Sequence, residues 1–226
     1  MGYRPADNAD RDKKPPNDDW FRGLGGQLDE VLDQVFDRCI QTGLCTMAHT
    51  TESQYSDPAY HDNGSPHYWS MALQRHPELK VNLAHCGGMS GKEDPHHWKR
   101  GVFEIMAQYP NVYADVADFV DIDCRQIRNS YFRALKKWTV AHPESPLIER
   151  LMYGSDFYMN GLFRDYEYYA DNWISAFQEH FPQDWRDLVG GNAANFLGLR
   201  AGPQRQRLDR FIADHDLSPE WVKLVA

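Results

Sequence analysis

The sequence lacks three features that would each point to a different class of protein. No stretch approaches the about 20 apolar residues of a membrane span, and the polar first residues contain no apolar signal segment. Positive charge is not in excess either, because the formal net charge is −9 at pH 7. That balance argues against nucleic acid and anionic membrane as partners. We therefore expect a cytoplasmic protein.

Cysteine is scarce, and no serine lies in a GxSxG context. The absence of CxxC spacing excludes a zinc ribbon, and reduced thiols are the simplest interpretation. A serine hydrolase with a nucleophile elbow is not supported. The four cysteines are Cys39, Cys45, Cys86 and Cys124.

The chain length and composition predict one globular domain over residues 1–226, since 42% of the residues are hydrophobic. Residues 1–25 are rich in proline, glycine, Asp and Asn and are predicted to be loop or extended. Residues 200–226 are predicted to form a polar helical tail.

Between these ends, short apolar runs alternate with amphipathic helical patterns. The runs predict strands at 44–48, 80–84, 111–115 and 151–153. Helices are predicted at 27–41, 66–75, 95–109, 125–141 and 165–181, followed by short helices at 184–189 and 192–199. Strands joined by crossover helices favour a parallel sheet, and their spacing leaves room for one β/α unit of roughly 30 residues or more at each step.

Three of the predicted strands end in a residue that can bind a metal or move a proton: His49, His85 and Asp156. The carboxyl ends of parallel strands open onto one face, where ligands collect, so these residues are expected to converge. Two imidazoles and a carboxylate suit Zn²⁺, with Mn²⁺ or Fe²⁺ as alternatives. Each residue also has a structural interpretation, as a packed histidine or a helix-capping aspartate. Asp115 also ends a strand but ranks below the others, because a shift of one position would turn its side chain to the opposite face.

Five segments in order, LCTMAHTTES, LKVNLAHCGG, PNVYADVADF, LMYGSDF and GNAANFLGL, resemble strands five to eight and the closing helix of the amidohydrolase-related family. That family includes aminocarboxymuconate-semialdehyde decarboxylase-like enzymes, which this chain resembles, and other metal-dependent hydrolases and lyases. The resemblance runs from about Gly2 to about Leu199 and implies an α/β fold, a partial (β/α)₈ TIM barrel with crossover helices.

The resemblance also implies a metal-dependent hydrolase or lyase, such as a decarboxylase, that acts on a small carboxylated or cyclic substrate. His49 would be a metal ligand, Asp156 a ligand or metal-linked base, and His85 a second ligand or the acid/base. No organic cofactor is implied. A bound metal would lower the pKa of a water toward neutrality.

One element of the family pattern is missing, because no HxH pair occurs in the 226 residues. Three explanations stay open: a fragment of a longer protein, a half-barrel that pairs with itself or another chain, or a variant that has lost catalysis. Catalysis is accordingly expected if the missing N-terminal strands complete the barrel. The alternative is a non-catalytic half-barrel that serves as a subunit or interaction module. An unpaired parallel edge invites association, so we expect a homo-oligomer.

Overall fold

A computed structural model of the chain describes residues 24–51, 63–88, 98–119, 121–161 and 168–217. Most of the loop predicted for 1–25 lies outside these ranges, as do the last nine residues of the predicted tail. Within the described residues, no helix combines the length and the apolar character that crossing a membrane requires.

The predicted alternation of strands and helices is confirmed along the described chain. The strands are β1 (Thr46–His49), β2 (Val81–Ala84), β3 (Val112–Asp115) and β4 (Leu151–Met152). The longer helices are α1 (Leu24–Thr42), α2 (His67–Arg75), α3 (Trp98–Gln108), α4 (Arg125–Ala141), α7 (Tyr169–His180) and α9 (Pro203–Asp214). Three short helices complete the set: α5 (Leu147–Arg150), α6 (Phe157–Asn160) and α8 (Asn192–Phe196).

The strands form a four-stranded sheet in the order β1-β2-β3-β4. β1 pairs with β2 in parallel, with Thr46 opposite Val81, and β3 pairs with β4 in parallel, with Ala114 opposite Leu151. Each strand reaches the next through at least one helix, as parallel pairing requires. The predicted fold class, an α/β fold with part of a (β/α)₈ barrel, is therefore confirmed.

The chain divides into two compact units: residues 1–88 with 94–112, and residues 113–226 with 89–93. The single domain predicted for residues 1–226 stays a prediction. In the first unit, all four residues of β2 are buried. A strand covered on both faces reads as a continuous apolar run, and this is why the segment lacks the alternation of a half-exposed strand.

The core of the second unit is aromatic. Trp173 of α7 is fully buried, and its ring centroid lies 5.7 Å from that of Phe119 and 5.2 Å from that of Phe177. Asn192, 2% exposed, ties α8 to β4 because its side-chain amide donates to the carbonyls of Ile148 and Leu151, each at 2.8 Å. The GNAANF segment therefore closes this unit through a buried hydrogen-bonding side chain.

Two local details differ from the sequence prediction. The helix predicted at 184–189 is a π-helical segment, Asp187–Gly191, which runs directly into α8. The Asn192 N–H bonds the carbonyl of Asp187, five residues earlier, which is the spacing of a π-helix. A turn over His85–Gly87 with left-handed backbone angles also follows β2, where the sequence prediction has only the end of a strand.

Candidate functional site

His49 and His85 lie side by side in the first unit. His49 is the last residue of β1 and His85 directly follows β2, so parallel pairing places them at neighbouring strand ends. Their ring centroids are 4.8 Å apart with the planes at 67°. His85 is 9% exposed. The structure thus brings together the two histidines that were predicted as ligands.

Thr50 joins these two strand ends and was missed from the sequence. Its side chain is fully buried, and its hydroxyl donates to the carbonyl of Ala84 at 2.6 Å. The same carbonyl also accepts the Thr50 N–H at 3.2 Å. A buried hydroxyl needs such a partner. Thr50, the residue after His49, is thereby held against Ala84, the residue before His85. The only sequence signal was a hydroxyl residue directly after a strand-end histidine.

The backbone after β2 is strained at a histidine. His85 has φ 65° and Cys86 has φ 48°, and Gly87 and Gly88 follow with φ 76° and 97°. Left-handed conformations are unfavourable for residues with a Cβ and tend to occur at functional sites. The turn therefore holds the His85 ring at the end of β2 by backbone conformation as well as by packing.

Asp156 and Asp118 form the corresponding pair in the second unit. Asp156 follows β4 with φ 44°, and Asp118 follows β3 with φ 57°. Each offers one carboxylate oxygen, and these two oxygens lie within 4.8 Å of each other. Asp118 was missed because it stands three residues beyond the predicted strand end, although PNVYADVADF contains this second aspartate.

Asp115 has a hydrogen-bonding role in the turn that leads to Asp118. It is 5% exposed, and its carboxylate accepts the Ala117 N–H at 3.0 Å. Gly154 packs against this turn, since a Cβ there would lie 2.9 Å from the Ala117 Cβ and 3.2 Å from the Asp115 Cγ. Gly154, two residues before Asp156, is therefore needed for the close approach of the two strand ends.

Tyr169 holds the backbone on both sides of Asp118. The Tyr169 hydroxyl accepts the Phe119 N–H at 3.2 Å and donates to the carbonyl of Val116 at 3.3 Å. It therefore hydrogen-bonds the backbone both before and after Asp118. Burial raises the pKa of Tyr153, three residues before Asp156, above the usual value of 10.0, at which a phenol is already protonated at neutral pH.

In the first unit His49 thus lies beside His85, and in the second unit Asp156 lies beside Asp118, which the sequence analysis did not predict. The prediction that His49, His85 and Asp156 bind one metal stays a prediction. Their chemistry fits a divalent ion, because imidazole nitrogens and carboxylate oxygens are the ligands of Zn²⁺ at about 2.0–2.2 Å. A pair of imidazoles with centroids 4.8 Å apart is close enough for one nitrogen of each to reach a single ion.

Comparison with known families and structures gives one family and a set of structural neighbours. The amidohydrolase family model matches residues 7–199. An amidohydrolase from Burkholderia multivorans, solved with bound zinc, is 18% identical with a TM-score of 0.50 over 79% of this chain and 60% of its own. An uncharacterised TIM-barrel protein from Bordetella bronchiseptica is 18% identical with a TM-score of 0.48 over 75% of this chain and 51% of its own. No curated protein matches the sequence.

The chain spans 51% and 60% of the lengths of these two neighbours. The narrower resemblance to aminocarboxymuconate-semialdehyde decarboxylase-like enzymes stays a prediction.

Proposed function

Since the chain belongs to the amidohydrolase family, we propose that it carries part of the active site of a metal-dependent hydrolase or lyase. The substrate class is a small carboxylated or cyclic molecule. The observation that carries the proposal is the pairing of ligand-type residues at adjacent strand ends, His49 with His85 and Asp156 with Asp118.

The metal ligands in this proposal are His49, His85 and Asp156. The carboxyl ends of parallel strands are where ligands collect in α/β proteins, and this general rule supports assigning the three residues to one site. Mixed imidazole and carboxylate ligands favour Zn²⁺, and the Burkholderia multivorans neighbour was solved with zinc. Mn²⁺ and Fe²⁺ are the alternatives.

The chemistry depends on these residues in different ways. A divalent metal held by these residues would supply a Lewis acid that lowers the pKa of a water toward neutrality and polarises the substrate. Asp156 or His85 would handle the proton of that water. If His85 is a ligand only, that role falls to Asp156. The hydrogen bonds of Thr50 and Tyr169 hold the backbone beside His49 and Asp118.

Metal content measured by elemental analysis of the purified chain tests the proposal. We expect about one Zn²⁺ per chain, lost in His49→Ala and in Asp156→Ala. Two matched controls, His142→Ala and the exposed Asp184→Ala, lie away from the strand ends and should keep the metal. Equal metal loss in the controls, or a folded parent chain that takes up no metal, would refute the assignment of these ligands.

A second function is favoured by the absence of an HxH pair from all 226 residues. In this function the chain is a non-catalytic half-barrel that acts as a subunit or interaction module. Three ligands without the pair leave an open site that binds metal more weakly. Metal binding without turnover of any amide, lactone or carboxylate substrate would favour it.

A further inference from the structure

Helix α4 is positively charged in a chain whose formal net charge is −9. Its 17 residues include five arginines and lysines and no aspartate or glutamate. Four of these cations are exposed, and we call them the basic face: Arg125, Arg133, Lys136 and Lys137. At 3.6 residues per turn and 1.5 Å per residue, they fall within an arc of about 120° and along about 18 Å of the helix. α4 therefore presents a surface of one sign to solvent.

The basic face lacks the internal compensation of an ordinary solvated helix. On α9, by contrast, Arg205 is paired with Asp209 four residues later, with Nε and Oδ1 2.8 Å apart. The acidic residues nearest to α4 in sequence, Asp123 and Glu144, lie outside the helix. Among the residues that the structure describes, no carboxylate forms an ion pair with a member of the basic face. Like charges three and four residues apart destabilise a helix, so a bound anion would offset a repulsion that is already present.

His180, at the end of α7, packs directly on α4. Its ring stacks on that of Phe132 with centroids 4.6 Å apart and planes at 9°. Its Nε2 lies 3.3 Å from Oδ1 of Asn129. Both of these partners belong to α4, so the imidazole is fixed beside the charges of this helix.

The pKa of His180 shows that the charges of α4 act at one place. Burial lowers this pKa below its usual value of 6.5, and the negative charge of Glu179 opposes that shift. The other charges that act on the ring lower the pKa further, and all are cations of α4: Lys136, Arg128 and Arg133. Three cations that are up to eight residues apart in sequence thus act together on one partly buried ring.

We propose that the basic face binds an acidic segment of a partner protein. Arginine guanidinium groups form paired hydrogen bonds with carboxylates, and the lysines add charge attraction. An extended peptide covers about 3.3 Å per residue, so a segment of about five or six residues matches the length of the face. Val140 is 82% exposed and lies within the same arc, where it offers such a segment an apolar contact.

The net charge favours a short acidic segment over a nucleic acid or an anionic membrane. Those partners are extended polyanions that face the whole molecule, and a net charge of −9 repels them. A short segment interacts mainly with charges within the screening length of about 8–10 Å. None of the residues proposed as metal ligands belongs to the basic face, so this proposal and the proposed function can fail separately.

Fluorescence anisotropy of a labelled hexaglutamate peptide with the full chain tests the proposal. We expect binding that weakens as salt is added, and no binding of hexaglutamine. Arg133→Glu should weaken the binding at least about tenfold, because it reverses a charge within the face. The matched control is Arg207→Glu, since Arg207 is exposed on α9 and the net charge changes by the same amount. The control should change the affinity by less than about twofold. Both positions are exposed, so both variants should keep the circular dichroism spectrum of the parent.

Titration of His180 followed by NMR gives a second readout, which attraction to another part of the surface would not move. Saturating hexaglutamate should raise the pKa of His180, because bound carboxylates offset the cations that lower it. The signals of His215, outside α4, are the control and should not shift. The proposal is overturned if the parent does not bind hexaglutamate, if both Arg→Glu variants weaken binding equally, or if the pKa of His180 is unchanged. Tighter binding of hexathymidylate or of phosphatidylserine vesicles would overturn it as well.

Discussion

The substitution of Gly87 by alanine gives the sharpest test of the turn that holds His85. Gly87 has φ 76°, and a Cβ there would lie 2.6 Å from the Lys99 nitrogen and from the Trp98 carbonyl carbon. Both atoms belong to the backbone at the start of α3, so no flexible side chain can move out of the way. The added methyl group must displace either α3 or the turn itself.

The cost has two parts. A left-handed conformation costs an L-residue about 1–2 kcal/mol. Forcing a methyl group into a filled space costs about 1–3 kcal/mol more. We therefore expect Gly87→Ala to lower the free energy of unfolding by about 2–5 kcal/mol.

Gly26 provides the matched control, because nothing lies within 4 Å of a Cβ built on it and it stands within α1. Gly26→Ala should raise the free energy of unfolding by up to about 1 kcal/mol, through the higher helix propensity of alanine. Urea unfolding of the two variants and the parent, analysed with a common slope, measures both effects. If Gly87→Ala is as stable as the parent, or if both substitutions change stability in the same direction, the account of this turn is wrong.

Two further predictions concern Asp33 and Gly154. Asp33→Ala should lower the free energy of unfolding by about 1 kcal/mol at pH 7, since its carboxylate lies 2.8 Å from Nε2 of the buried His76 and 3.0 Å from Nη2 of Arg75. Gly154→Ala should lower the free energy of unfolding in urea by about 1–3 kcal/mol, because its Cβ would overlap the turn held by Asp115. The same substitution should reduce metal uptake more than Gly26→Ala does.

The effect of Asp33→Ala should depend on pH. Burial raises the pKa of the Asp33 carboxyl, but hydrogen bonds from His76 and Arg75 outweigh it, so the pKa lies below its usual value of 3.8. A carboxyl whose pKa is lowered on folding stabilises the protein above the unfolded pKa, and this contribution is lost as the pH falls through the folded pKa. The contribution of the Asp33 carboxyl should thus be complete above about pH 5 and shrink below pH 3.8. A difference from the parent that grows as the pH falls below 3.8 would contradict this assignment, as would a Gly154→Ala variant with parental stability.

Local patterns alone determined the order of strands and helices and the positions of His49, His85 and Asp156 at or just after strand ends. The hydrophobic period and the length of a segment identify helices and strands from a short stretch of sequence. Examples are the uninterrupted apolar run of β2 and the helical spacing of α1. The same reasoning predicted the parallel sheet, because each pair of strands is separated by enough chain for a crossover helix. The ordered motifs also predicted the amidohydrolase family, which matches residues 7–199.

Only the tertiary structure decided which side chains support those strand ends. Thr50 bonds a carbonyl 34 residues away, and the Tyr169 hydroxyl bonds a carbonyl 53 residues away. Asp118 reaches Asp156 through a left-handed turn that no local preference of aspartate requires. Such contacts depend on the packing of elements that are distant in sequence, so no short stretch of sequence contains the information that predicts them. Hydrophobic period and strand-end position are local properties of the chain, whereas hydrogen bonding between strand ends exists only once the strands have paired.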